Sequence, residues 1–143
     1  MRRCIVACAL SLGIALAAAA GPPSLARTLS FDDSIRAAGV IGLYHDAAGE
    51  CIVAGDYQRA IIFAAKAVTV ADTTFGPTSE QMIRPLARLA YAYCRAKLYH
   101  NAAVTCGTLL PLLRYYYKDT YPEAISVWEA AQANMRRLAQ GGP

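Results

Sequence analysis

The stretch GDYQRAIIFAAKAVTVADTTFGP, Gly55 to Pro77, is written a second time forty-two residues later as KLYHNAAVTCGTLLPLLRYYYKD, Lys97 to Asp119. Tyr57 falls on Tyr99, Ala60 on Ala102, Ala67 on Leu109 and Phe75 on Tyr117. A short chain that repeats a segment of this length is restricted to architectures that stack one supersecondary unit on its copy.

The unit is helical. Ser30, with Asp33 three residues on, forms a weak capping box and predicts a helix from about Phe31 to Ala54, closed by Gly55-Asp56. Ala60, Ile61, Ala64, Ala67, Val68 and Ala71 recur at three- and four-residue intervals and predict a second helix from about Tyr57 to Ala71. Further helices are expected over about Ser79–Ala96, Tyr99–Tyr117 and Pro122–Ala139. Pro122 suits a first turn, where its missing N–H costs nothing. For Pro85 a regular start near Arg84 suffices; Pro111 predicts a bend, or a break near Leu110. No alternation lasts long enough for a strand.

Five helices joined by tight turns and longer loops predict an all-α fold. The expected architecture is a short right-handed α-solenoid of antiparallel hairpins, about two and a half repeats. Residues 41–139 form the repeat domain, 27–40 extend the first helix, and 140–143 form a disordered tail. Ala48, Ala60, Ala90 and Ala102 let paired helices approach closely, and Tyr57 and Tyr99 plug the top of each hairpin. Arrays of this kind need about three units, so the first helix, the fifth helix or a partner must cap the stack.

Gly55-Asp56-Tyr57-Gln58-Arg59-Ala60, followed by Ala67, resembles the tetratricopeptide (TPR) signature. Phe75-Gly76-Pro77 and the 42-residue step are similar to the kinesin-light-chain type of that repeat. Leu89-Ala90 stands where that family has its Leu-Ala pair, and Trp128 where its helix-A tryptophan belongs. The resemblance covers about residues 41–138. Lys97 replaces the second turn glycine, Lys118-Asp119 replaces Gly-Pro, and Ala47-Ala48 replaces Leu-Ala. The resemblance implies a helical solenoid that binds a protein or peptide segment in a concave groove. The family's carboxylate-clamp pattern of paired Lys and Asn is absent.

The N-terminus reads as a signal peptide. Arg2-Arg3 precedes an apolar run from Cys4 to Ala20, and Ser24-Leu25-Ala26 supplies small residues for cleavage. Residues 1–26 are therefore expected to be removed, cleavage after Ala20 being the alternative and an uncleaved anchor the competitor. Seventeen apolar-type residues are short for a span, where about 20 are wanted. The protein is expected to be exported, periplasmic or extracellular, with no integral membrane segment after cleavage. The full chain has 14 Lys+Arg against 10 Asp+Glu, too mild a basic bias for nucleic-acid binding. After cleavage three cysteines remain, an odd number that allows at most one internal bridge. Cys51–Cys94 is the candidate, both lying near the ends of neighbouring first helices; Cys106, equivalent to Ala64, reads as a small buried residue.

Function is expected on the first helix of each pair. That phase exposes His45 and Ile52, then Arg84, Tyr91 and Arg95, with Arg88 between them on the same helix, then Glu129, Arg136 and Arg137. The four residues from Arg84 to Arg95 form one stripe along a helix. Guanidinium groups around a phenol can grip a carboxylate while the ring packs an apolar side chain. The stripe predicts a groove for an acidic or C-terminal segment of another exported protein. The competing explanation is the solvated face that every amphipathic helix has. Tyr115-Tyr116-Tyr117 cannot all face one core; two are expected against the fifth helix and one on the surface. No Ser/His/Asp order, phosphate loop or paired-carboxylate motif argues for an enzyme. His45 and Cys51 fall on different helix faces, so neither a metal nor a cofactor is expected. A capping subunit of a larger hetero-assembly is the alternative role.

Overall fold

The computed structural model describes residues 30–141. The expected leader, residues 1–26, lies outside them. The described chain is all-α: α1 (Phe31–Val53), α2 (Tyr57–Phe75), a 3-10 turn (Glu80–Met82), α3 (Ile83–Arg95), α4 (Tyr99–Tyr117) and α5 (Pro122–Ala139). Each helix packs on the next in sequence, and α1 also packs on α3.

Local chemistry sets the helix ends. Ser30 Oγ accepts from the Asp33 N–H at 3.1 Å and donates to Asp33 Oδ2 at 2.9 Å. Asp56 caps α2 by accepting from the Arg59 N–H at 3.1 Å. The helix expected from Ser79 starts instead as a 3-10 turn, and α3 proper begins at Ile83. Pro85 thus sits in its first turn, where no intrahelical donor is lost. Helix α2 runs past Ala71 to Phe75, where Gly76 ends it at φ 92°. The break expected near Leu110 does not occur, because α4 is continuous through Pro111. Pro111 and Gly107, whose carbonyl loses its partner, are both exposed, so water can satisfy that carbonyl. Gln140 and Gly141 belong to the α5 cap rather than a tail: the Gly141 N–H donates to the Leu138 carbonyl at 3.2 Å.

The 42-residue step is visible in the packing. Helices α2 and α4 are each 19 residues long and begin at Tyr57 and Tyr99. Ala60, Ala64 and Ala67 are fully buried on α2, and Ala102, Cys106 and Leu109 on α4. Ala48, Ala64 and Leu89 form one apolar cluster; their equivalents Ala90, Cys106 and Ala131 meet in another. Ile41, Ile83 and Ile125 recur at the same step on α1, α3 and α5, all buried in the main core. Before Ile41 no residue of α1 is fully buried, so its N-terminal turns extend beyond the stack.

The turns repeat too. After α1 the Asp56 N–H reaches the Cys51 carbonyl at 2.9 Å and the Gly55 N–H reaches Ile52 at 3.1 Å. After α3 the Leu98 N–H reaches Tyr93 at 2.9 Å and the Lys97 N–H reaches Cys94 at 3.0 Å. Both are Schellman closures, which place one residue in the left-handed region. Gly55 does so at φ 79°, and Lys97 at φ 61° is the one non-glycine residue described there. A side chain is strained in that region, so Lys97→Gly is expected to stabilise the protein by roughly 0.5–1 kcal/mol, the loss of strain outweighing the freer unfolded chain. Urea denaturation checks this, and a destabilised Lys97→Gly protein would refute it.

The α5 side of the stack is finished differently. Gln132 stands at the position of Ala48 and Ala90, and its Nε2 donates back to the Ala103 carbonyl of α4 at 3.1 Å.

Candidate functional site

Helix α3 is the most strongly amphipathic element. Leu86, Leu89 and Ala90 are buried, whereas Arg84, Tyr91 and Arg95 are exposed and Arg88 is half-buried. Helix α3 packs on α1, and its polar stripe shares a cavity with side chains of both α1 and α5. His45, Arg84, Ala87, Arg88, Tyr91 and Trp128 line a cavity of about 300 Å³. A second cavity of about 270 Å³ continues along the α1–α3 seam past His45, Arg84, Glu80 and Tyr117. The structure therefore joins four of the expected groove residues, His45, Arg84, Arg88 and Tyr91, and adds Trp128 as an aromatic wall.

The centre of the site is a contact between α1 and α3. Arg88 Nη2 lies 2.7 Å from His45 Nε2. A guanidinium can only donate, so Nε2 accepts and the ring is neutral with its proton on Nδ1. Burial pushes the His45 pKa below its ordinary value; Arg88 and then Arg84 push it the same way, and Asp46 opposes them. Gly49 lies beside Arg88: a Cβ there would stand 3.4–3.6 Å from the guanidinium atoms, an ordinary contact distance. The equivalent position on α3 is Tyr91. Two buried nitrogens at this contact, His45 Nδ1 and Arg88 Nε, have no partner.

Among the described residues no carboxylate forms an ion pair with the stripe. The ion pairs among the described residues are Arg36–Asp33, Arg59–Asp56 and Arg114–Glu129. Arg95 turns to tyrosines instead: it donates to Tyr91 Oη at 3.0 Å and Tyr57 Oη at 3.1 Å, and lies over both rings. Those hydrogen bonds raise its already high pKa, that from Tyr91 most. Tyr57 is therefore a half-buried link between α2 and α3 rather than a core plug, and Tyr99 is likewise only half-buried.

The outer members of the expected groove are placed elsewhere. Glu129 faces α4, its Oε1 accepting from Arg114 at 2.6 Å. Arg136 is exposed and outside both cavities, Arg137 donates to Asn134 on its own helix at 2.9 Å, and Ile52 is buried. Helical phase alone put Glu129 in the groove; the cross-helix attraction of Arg114, fifteen residues away, decides otherwise.

The tyrosine run divides as geometry requires. Tyr115 is 81% exposed. Tyr116 and Tyr117 pack on the main core and reach the loop after α2, donating to the Thr78 carbonyl at 2.9 Å and to Glu80 Oε1 at 2.8 Å. The core they join includes Ile125 and Trp128 of α5, while the loop and the 3-10 turn offer their hydroxyls acceptors.

Cys51, Cys94 and Cys106 are all free, so the Cys51–Cys94 bridge is not formed. Cys51 packs with Ile52, Ala60 and Ala92, whereas Cys94 packs with the Ala90, Ala102 and Cys106 group. Burial chiefly pushes the Cys106 thiol up to about 11, with its Sγ 3.9 Å from Met135 Sδ. It is a packing residue rather than a nucleophile. Among the described residues no three His, Cys, Asp or Glu side chains gather as metal ligands, and no helix is long and apolar enough to cross a membrane.

Compared with known proteins, the chain matches no family model and has no significant match to a characterised protein or a solved structure.

Proposed function

We propose that the protein is an exported interaction module of the tetratricopeptide type, acting without catalysis in the periplasm or outside the cell. Its site is the seam between α1 and α3, and its ligand is an acidic or C-terminal segment of another protein. One observation supports this reading above the others. Arg84 and Arg88 line a cavity walled by Trp128 and Ala87, and no carboxylate among the described residues forms an ion pair with either. A carboxylate would meet charge-assisted donors there, while an adjacent apolar side chain would lie against the indole. A merely solvated face does not require two cations and a histidine to converge on an aromatic wall.

Trp128 is the only tryptophan, so the tryptophan emission arises at the wall of this site. A short peptide of glutamate and leucine with a free C-terminus should change that emission saturably, and its lysine-for-glutamate counterpart should not. Arg84→Ala should weaken binding by about tenfold or more, since a hydrogen bond to a charged group contributes about 1.5–3 kcal/mol. Arg84 is exposed, so its loss should leave the fold intact. Absence of binding, or unchanged affinity in Arg84→Ala, would end this reading.

A second reading is a structural subunit of a larger assembly. It is favoured by the outer face of α1, where Phe31, Ile35, Leu43 and Val53 are all more than half exposed. Obligate co-purification with a partner would select it over transient peptide binding.

A further inference from the structure

We infer that the α1–α3 site is proton-coupled: an acidic ligand seated beside Arg84 and Arg88 draws a proton onto His45, so its affinity rises as the pH falls. This coupling rests on the anion-binding role proposed above.

The geometry holds His45 neutral while the site is empty. Its Nε2 is occupied as acceptor for Arg88 Nη2 at 2.7 Å, and its Nδ1 is buried without an acceptor. Protonation removes the lone pair that Arg88 uses and sets two cations in contact, with Arg84 lining the same cavity.

The neighbouring acidic groups are poorly placed to compensate. Asp46 is exposed on the same helix. Glu80, across the adjoining cavity, already accepts the Tyr117 hydroxyl at 2.8 Å. Glu50 and Asp46 share a further cavity with Gly49 and Arg88, but neither is among the ion pairs of the described residues. On α5, Glu129 is turned to Arg114, and Trp128, the α5 side chain on the cavity wall, carries no charge. The Tyr117 phenol, whose pKa the bond to Glu80 raises, carries no charge to offer.

A ligand carboxylate reverses this balance. Placed among Arg84, Arg88 and His45, it offsets the repulsion and accepts from an imidazolium N–H, so the bound state favours the charged ring. Between the lowered pKa of the free protein and the raised pKa of the complex, the complex binds more protons. Affinity must therefore increase as pH falls through that window. It levels off once the free site is also protonated, and declines near pH ~4, where the ligand carboxylates are neutralised.

The unliganded protein behaves in the opposite sense. Its His45 pKa is lowered in the folded state, so the stability linked to this ring is complete above the unfolded value of about 6.5 and is lost as pH falls through the folded pKa. Acid thus loosens the empty seam and tightens the occupied one.

The test uses the glutamate–leucine peptide and Trp128 emission at about pH 7.5 and about pH 5.5, which bracket the ordinary histidine range. The wild-type affinity should rise about tenfold, one unit of separation between free and bound pKa giving a factor of ten. Calorimetry in buffers of different ionisation enthalpy should show net proton uptake on binding. His45→Gln keeps an amide oxygen for Arg88 and cannot take up a proton in this range; its affinity should be flat and its proton uptake absent. Thermal melting of His45→Gln confirms that it is folded. Binding that is flat or weaker at low pH in the wild type, or an unchanged rise in His45→Gln, would overturn the coupling while leaving the anion site standing. No binding at either pH would overturn both.

Discussion

Leu109→Ala should destabilise the protein by about 2–5 kcal/mol, the range for truncating a buried leucine. Leu109 has 0% exposure and is the largest of the fully buried side chains. It lies in the main core with Ile83 and Leu86 of α3, Ala67 and Ala71 of α2, and Ile125 of α5. Its removal therefore opens a void where four helices meet. Ala67 and Ala71 have no further side-chain atoms to move into it, so collapse would require the helices themselves to shift. The urea midpoint should drop with an unchanged slope, and the melting temperature should fall by ~10 °C or more. A loss below about 1 kcal/mol would mean the site repacks freely, contrary to a rigid stack.

The second large effect comes from adding atoms rather than removing them. Ala90 is fully buried in a cluster with Ala102, Ala103 and Cys106 of α4 and Met135 of α5. Ala48 is fully buried against Ala64 of α2 and Leu89 of α3. A leucine at either place must push helix backbones apart, and overpacking of this kind costs typically about 1–3 kcal/mol. Ala48→Leu and Ala90→Leu should therefore give similar penalties. At the third equivalent position the side chain is already long and half-buried. Gln132→Leu should cost no more than the hydrogen bond to Ala103, about 0.5–1.5 kcal/mol. Chemical denaturation of the three variants tests the equivalence directly. A neutral Ala90→Leu would show that α3 and α4 are not in close contact.

Much of this architecture is legible in the amino-acid order because it is set by local rules. Helices α4 and α5 occupy Tyr99–Tyr117 and Pro122–Ala139, as the spacing of apolar residues and Pro122 predict. The alanines at 48, 60, 90 and 102 are all fully buried, as a repeated helix crossing requires. Tertiary context overrides the pattern at identifiable places. Pro111 breaks nothing because its ring and the carbonyl it deprives both lie toward water. The start of α3 tightens into a 3-10 turn where Ser79 gives no side-chain cap.

The site was half legible for a related reason. A stripe on one helix follows from periodicity, so Arg84, Arg88 and Tyr91 could be placed together. Partners across the stack could not. The His45–Arg88 contact joins residues 43 apart, and the bond that draws Glu129 to Arg114 crosses from α5 to α4.

The glutamine that closes against α4 gives the stack a direction. An additional helix settling on α5 as α2 settles on α1 would meet a glutamine where α2 meets Ala48, and that glutamine is already committed to the Ala103 carbonyl. Growth by the same hairpin geometry on that flank would have to work around this bond, whereas Phe31 and Ile35 at the start of α1 stand open.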